Sequence, residues 1–269
     1  MGKTTGISWT DHTFNPWWGC VEVSPACDDC YARTWANRMG HQVWGKDAPR
    51  RFFGDKHWNE PLFWNRNAEA AGVRKKVFCA SMADICERNA TVVDEGGNNM
   101  LDQARSRLWE LVDRTPWLDW LLLTKRPHEI PRMIPADWLK SPRHNAWFGT
   151  TAENEEFARK RLAALRDVPN VMPWVSYEPA LGPVDWSPYL DFVKWIIFGG
   201  ESGTTPRAAE AVWANDTRKQ CDRAGVSFFF KQAGNILARE WNCDDKAGKV
   251  ISEWPIQFQI QEFPQELAA

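Results

Sequence analysis

The segment NPWWGCVEVSPACDDCYA, residues 15–32, places Cys20, Cys27 and Cys30 within eleven positions in a C-x6-C-x2-C pattern. Thiolate sulfur is a soft ligand for zinc and iron, and a C-x2-C pair on a turn can hold two sulfurs against one metal. Three thiolates with an open fourth position suit a 4Fe–4S cluster whose last iron is left for a substrate or cofactor. A structural zinc instead closes a tetrahedron. Its fourth ligand would have to come from His12, His41, Cys79 or Cys86, none at a familiar spacing. A disulfide with one spare thiol is the weakest fit. Seven cysteines is an odd number, and the polar opening MGKTTGISWTDH carries no export signal, so the expectation is a protein of the reducing cytoplasm.

Short apolar runs alternating with amphipathic stretches must position these thiols. Strands are predicted at 77–84, 117–126, 146–154, 171–179, 193–203 and 226–234, with an initial one near GISWT. Helical spacing marks 31–39, 101–114, 155–167 and 208–225, the last ending at Gly225, and Thr151 is the candidate cap of the third. Continuous apolar strands separated by helices indicate a parallel sheet covered on both faces. About seven of them suit an α/β fold: a (β/α) barrel, partial or closed, of the TIM-like kind. The organisation expected is a barrel over 1–234, with 41–67 as an inserted loop, and a C-terminal extension or cap over 235–269. No stretch approaches the roughly 20 apolar residues of a membrane span.

In such a barrel chemistry collects where strands end. Here the ends read Asp84, Lys125–Arg126, Thr150–Thr151, Glu178, Glu201–Ser202 and Lys231–Gln232, so a shared ring around one mouth is expected. Lys125, Arg126 and Lys231 could pair with a carboxylate or phosphate, or with surface acids.

The motifs NPWWGCVEVSPACDDCYA, VFCASMADI, LLTKRP, WFGTTAEN, VSYEPALGPVDW, IIFGGESG and GVSFFFKQAG, in that order, resemble the phage-associated three-cysteine-motif family. That family is regarded as related to radical S-adenosylmethionine enzymes and is often encoded near a separate partner protein. The resemblance implies a radical-enzyme type of barrel in which Cys20, Cys27 and Cys30 ligate three irons of a cluster and S-adenosylmethionine chelates the fourth. Reductive cleavage of the cofactor would then give a 5′-deoxyadenosyl radical that abstracts hydrogen from a substrate. It also implies that Gly199, Gly200, Glu201 and Ser202 resemble the segment that binds the methionyl amine, with Ser81 and Asp84 in the conventional place after the second strand. Two features depart from the radical-enzyme pattern: the first interval is six residues rather than three, and Asp29, not an aromatic residue, precedes the third cysteine.

Tryptophan is unusually abundant, 18 of 269 residues, which serves core packing or stacking on bases. The stretch 41–67 interleaves aromatic and basic residues, as a nucleic-acid strand would require, or as an ordered loop packed on the barrel would. Two further functions stay open: a non-catalytic zinc- or cluster-binding interaction module, and a hydrolase using Asp84, Glu153, Glu178 and Glu201 around a divalent ion.

Overall fold

A computed structural model describes residues 5–268, which fall into two compact units: 5–148 with 168–171, and 149–167 with 172–268. The first unit opens with β1 (His12–Thr13) and the short β2 (Trp17–Trp18), followed by α1 (Tyr31–Arg38). Next come β3 (Arg51–Phe52), antiparallel to β2, then α2 (Asp55–Trp58) and α3 (Glu60–Ala71). Strand β4 (Lys75–Cys79), helix α4 (Met100–Asp113), strand β5 (Leu118–Thr124) and the one-turn α5 (Ile130–Met133) complete it, up to β6 (Ala146–Thr151), where the second unit begins.

The initial strand forms later and shorter than the apolar pattern near GISWT suggests. Thr10 contributes to this: its hydroxyl accepts the Phe78 N–H at 3.0 Å, so a side chain takes the place of one ladder bond, while the Lys76 carbonyl accepts the Asp11 N–H at 3.0 Å. Only His12 and Thr13 then pair, parallel to Val77 and Phe78. Helix α4 starts where the Asn99 side chain accepts the Leu101 and Asp102 N–H groups, and it buries Leu101, Leu108, Leu111 and Val112. In β5 nearly every side chain is buried, as a strand covered on both faces requires.

In the second unit, α6 (Glu155–Arg166) leads to β7 (Met172–Tyr177), β8 (Trp195–Gly199), α7 (Ala211–Ala224), β9 (Ser227–Gln232), α8 (Gly234–Glu240) and α9 (Gln265–Ala268). Thr151 ends β6 rather than capping α6. The cap is Asn154, whose side chain accepts the Phe157 N–H at 3.2 Å. Gly225 ends α7 with φ of 68°, a left-handed conformation that glycine adopts without a steric penalty. The C-terminal tail lies along β9: the Phe230 N–H donates to the Ile260 carbonyl, and the Trp254 and Phe258 rings sit 4.8 and 5.3 Å from the Phe230 ring. This covers a strand edge that would otherwise expose unpaired amides.

The sheet order is β1-β4-β5-β6-β7-β8-β9, seven strands, as the apolar runs imply. The pairs β1·β4, β4·β5, β7·β8 and β8·β9 are parallel. The order has two ends, so the α/β sheet is the partial form of the two expected, not a closed barrel. Most tryptophans are buried, among them Trp9, Trp17, Trp120, Trp147, Trp174, Trp186 and Trp195, so their abundance is first of all packing. The same holds at several positions of 41–67. Arg50 is wholly buried against Glu87 at 2.5 Å, Trp58 is buried, and Arg51 lies 4.4 Å above the Trp18 ring. No helix among the described residues is long and apolar enough to cross a membrane.

Candidate metal and cofactor site

In the first unit the cysteine segment leaves β2 through the turn at Gly19, whose φ of +115° and contact with the Val43 carbonyl admit no side chain. Pro25–Cys27 form a single 3-10 turn, and Cys30 begins α1 as its N-cap. All three thiols are free. Cys27 is buried, Cys20 and Cys30 are partly exposed, and Cys30 packs against Trp18, Ala32, Ala36, Val43 and Met82.

Arg126 organises the Cys20 end. Its Nη1 donates to Asp84 Oδ2 at 2.7 Å and lies 3.8 Å from Cys20 Sγ, while Nη2 donates to the Val21 carbonyl at 2.8 Å. Asp84 follows β4, and Arg126 follows β5. Burial alone would raise the Asp84 carboxyl. Arg126, the Thr124 hydroxyl at 2.6 Å and the Lys125 and Cys86 N–H groups at 3.0 Å together hold it below the usual carboxylate range. Desolvation, with Asp84 adding to it, pushes the Cys20 thiol up to about 12, and Arg126 opposes that rise.

The remaining positions of the first unit are structural neighbours of this site. Asn15 donates to Ser81 Oγ at 3.1 Å and accepts the Met82 N–H at 2.7 Å, and the Tyr31 hydroxyl donates to the Ser81 carbonyl at 2.9 Å. Lys125 contributes its backbone N–H to Asp84. Of the residues considered as a fourth zinc ligand, Cys79 and Cys86 are buried in the core, His12 stacks on Trp64 at 4.3 Å, and His41 meets the Trp18 ring edge-on.

In the second unit Glu178, after β7, accepts from Lys231 Nζ at 2.6 Å. Gly199 lies beneath the pair: a Cβ there would come within 2.5 Å of Glu178 Oε1. Gly200 is equally constrained, since its Cβ would meet the Ala233 carbonyl oxygen at 2.1 Å. Gln232 donates to the Gly200 carbonyl at 2.8 Å and reaches Ser202 Oγ at 3.4 Å. Glu201 is held by Arg207, whose backbone N–H, Nε and Nη2 all donate to its carboxylate. At the end of β6, Arg161 donates to Glu153 Oε2 at 2.6 Å and to the Thr151 carbonyl. The buried Glu153 Oε1 and Thr151 Oγ1 have no hydrogen-bond partner among the described residues.

The four acids of the hydrolase reading therefore each hold a cation of their own. Asp84 holds Arg126, Glu153 holds Arg161, Glu178 holds Lys231 and Glu201 holds Arg207. No three His, Cys, Asp or Glu side chains among the described residues are grouped to hold a metal ion. By donor chemistry the cysteine segment nevertheless fits a thiophilic metal group: three free sulfurs on one short segment, with a cation beside the first. Arg126 is a cation the sequence already offers to a carboxylate; that its partner is Asp84, and that Arg161 holds Glu153 and Arg207 holds Glu201, is what the sequence reading missed. Nothing in local spacing joins residue 84 to 126.

Comparison with curated proteins gives no match. Among solved structures, a point variant of spore photoproduct lyase is similar at 14% identity and TM-score 0.48, over 83% of this chain and 77% of that one. A second, spore photoproduct lyase with bound AdoMet and dinucleoside spore photoproduct, shows 16% identity and TM-score 0.43 over 87% of this chain and 62% of that one. A third, complexed with dinucleoside spore photoproduct, shows 16% identity and TM-score 0.40 over 68% and 54%. The family described as "Protein of unknown function (DUF5131)" matches residues 4–255. With that span matched, the chain belongs to the DUF5131 family.

Proposed function

We propose that this protein is a radical S-adenosylmethionine-like iron–sulfur enzyme acting on nucleic acid or a nucleotide. The observation that carries the reading is the cysteine segment: three free thiols, with Cys20 Sγ 3.8 Å from an arginine anchored on a buried carboxylate. Cys20, Cys27 and Cys30 would hold a 4Fe–4S cluster. Within the first unit Ser81, Asp84 and Lys125, and within the second Glu178, Gly199, Gly200, Glu201, Ser202 and Lys231, follow strands, and each set is a candidate for cofactor contacts in its own unit. Once bound, cluster and cofactor together supply one-electron cleavage of a carbon–sulfur bond and so a hydrogen-abstracting carbon radical.

The chain's own part is positioning. Thiol ligands bind metal as thiolates, and Arg126 is the cation placed to favour that form at Cys20. Asp84 neutralises Arg126 and aims it, and through the Val21 carbonyl the same guanidinium fixes the segment between the first two cysteines. The reading includes a phage or prophage setting, a separately encoded partner and a reducing compartment in which the thiols stay reduced.

The test uses protein purified and reconstituted without oxygen. Iron, acid-labile sulfide and zinc are measured per chain, followed by reduction with S-adenosylmethionine and a search for 5′-deoxyadenosine. The expected result is about four irons and four sulfides, with cleavage lost in Cys27→Ala. Stoichiometric zinc, no iron and no cleavage would replace this reading with a zinc-stabilised interaction module.

A further inference from the structure

Beside the cysteine segment, Arg33, Asn37, Gly40, Gln42 and Trp44 line a cavity of about 500 Å³ that none of the chemistry above uses. Its walls are built rather than incidental. Helix α1 carries Arg33 and Asn37 one turn apart, while Ala32 and Ala36 of the same helix pack inward with Trp18, Val43 and Met82. Trp44 lies against that apolar cluster. The Gly40 N–H donates to the Asn37 carbonyl and the His41 N–H to the Ala36 carbonyl, so the chain turns sharply from helix to the opposite wall.

Both walls are tied to the cysteines. The Gly45 N–H donates to the Cys20 carbonyl at 3.0 Å, and Arg33 is held by the Glu22 carboxylate and the Asp28 carbonyl. A ligand in the cavity would therefore sit beside the segment that runs from Cys20 to Cys30.

The lining selects the kind of ligand. The side-chain amides of Asn37 and Gln42 and the Trp44 indole N–H have no hydrogen-bond partner among the described residues, and both amides are exposed. An amide offers a donor and an acceptor side by side, the complement of a base edge, and an indole offers a face for stacking. Among the described residues the one cation in the lining, Arg33, already faces Glu22, which favours a neutral heterocycle over a phosphate in the cavity itself. The volume lies in the range of small-molecule sites.

We propose that this cavity is a nucleobase-binding site that takes one unstacked base of a nucleotide or single strand. Its role in catalysis rests on the function proposed above; its binding requires neither iron nor S-adenosylmethionine, so the two can fail separately. Metal-free protein is titrated into a fluorescein-labelled eight-nucleotide DNA single strand of mixed sequence, the RNA strand of the same sequence, and an abasic strand of the same length. Fluorescence anisotropy reads binding.

The double variant Asn37→Ala/Gln42→Ala alters only exposed side chains and is expected to keep the wild-type urea midpoint and iron content. It should bind the intact strand it prefers about tenfold more weakly than wild type, while both proteins bind the abasic strand equally and weakly. Preference for DNA or for RNA identifies the source of the base, and either supports the site. Equal binding of intact and abasic strands, unchanged binding by the folded double variant, or no binding of either intact strand at millimolar protein overturns it.

Discussion

Replacing Arg126 with methionine keeps an apolar stem of similar length and removes the guanidinium from Asp84. The carboxylate stays buried, with a side chain only 6% exposed, and keeps three donors: the Thr124 hydroxyl and the N–H groups of Lys125 and Cys86. Those donors do not replace a full positive charge at 2.7 Å. Stranding one member of a buried ion pair costs about 3–5 kcal/mol. With a urea dependence of about 3 kcal/mol per molar, the midpoint falls by roughly 1–1.7 M. Arg126→Met/Asp84→Asn leaves a neutral amide where the carboxylate stood and should recover most of that loss, giving a coupling energy of about 2 kcal/mol or more in the double-mutant cycle. Urea unfolding at neutral pH, followed by circular dichroism on all four proteins, measures it directly. A single-variant loss below about 1 kcal/mol, or additive single-variant losses in the double variant, would refute the assignment of Arg126 as the counter-ion of Asp84.

Other consequences are open to the same assays. Burial lowers the proton affinity of His12 and His57 below the ordinary value of 6.5, so the unfolded chain binds more protons in mild acid. Their contribution to stability is complete above about 6.5 and is lost as the pH falls through their folded values. The urea midpoint should therefore be lower at pH 5.5 than at 7.5, with a smaller difference in His57→Gln, whose amide can still donate to the Asn15 carbonyl. A Cβ at Gly149 would fall 2.2 Å from Trp174 Cε2, and a buried indole cannot yield that far. Gly149→Ala should cost about 1–3 kcal/mol or more. Gly203→Ala, into open space, should stay within about 0.5 kcal/mol. The Glu178–Lys231 pair is more solvated, with side chains 14% and 24% exposed, so its cycle should give only about 0.5–1 kcal/mol. A value as large as that for Asp84–Arg126 would mean the two environments are alike.

Where one type of side chain dominates, the sequence is enough to read the fold. LDWLLLT in β5 and WIIFG in β8 announce buried strands, and periodicity alone predicts α4, α6 and α7 to within a few residues. Legibility failed where a side chain stood in for backbone. Thr10 shortened the first strand, and Asn154 took the cap expected of Thr151. The three cysteines are visible because thiols are rare and their spacing is local. The pairings of Asp84, Glu153 and Glu201 with their arginines are not, since arginine is common and Arg126, though it stands at a strand end, lies 42 residues from its acid. The cavity beside α1 was hidden for the same reason: Arg33, Asn37, Gln42 and Trp44 are unremarkable until α1 and the turn after it bring them to one face. Basic and aromatic residues are interleaved at 41–67 as on a nucleic-acid surface, yet Arg50 and Trp58 turn inward there.

The private cation of each strand-end acid has a thermodynamic meaning. A charged ligand arriving at any of these carboxylates does not meet a bare charge. It must exchange partners, taking the place of Arg126, Arg161, Lys231 or Arg207 while the displaced cation finds another anion, ideally on the ligand itself. Such an exchange conserves the number of ion pairs and frees few counter-ions. Affinity governed this way depends on shape and on the match of opposite charges within one molecule, and is nearly indifferent to salt. A zwitterion carrying an ammonium and a carboxylate a few bonds apart meets that condition. A simple anion or cation does not.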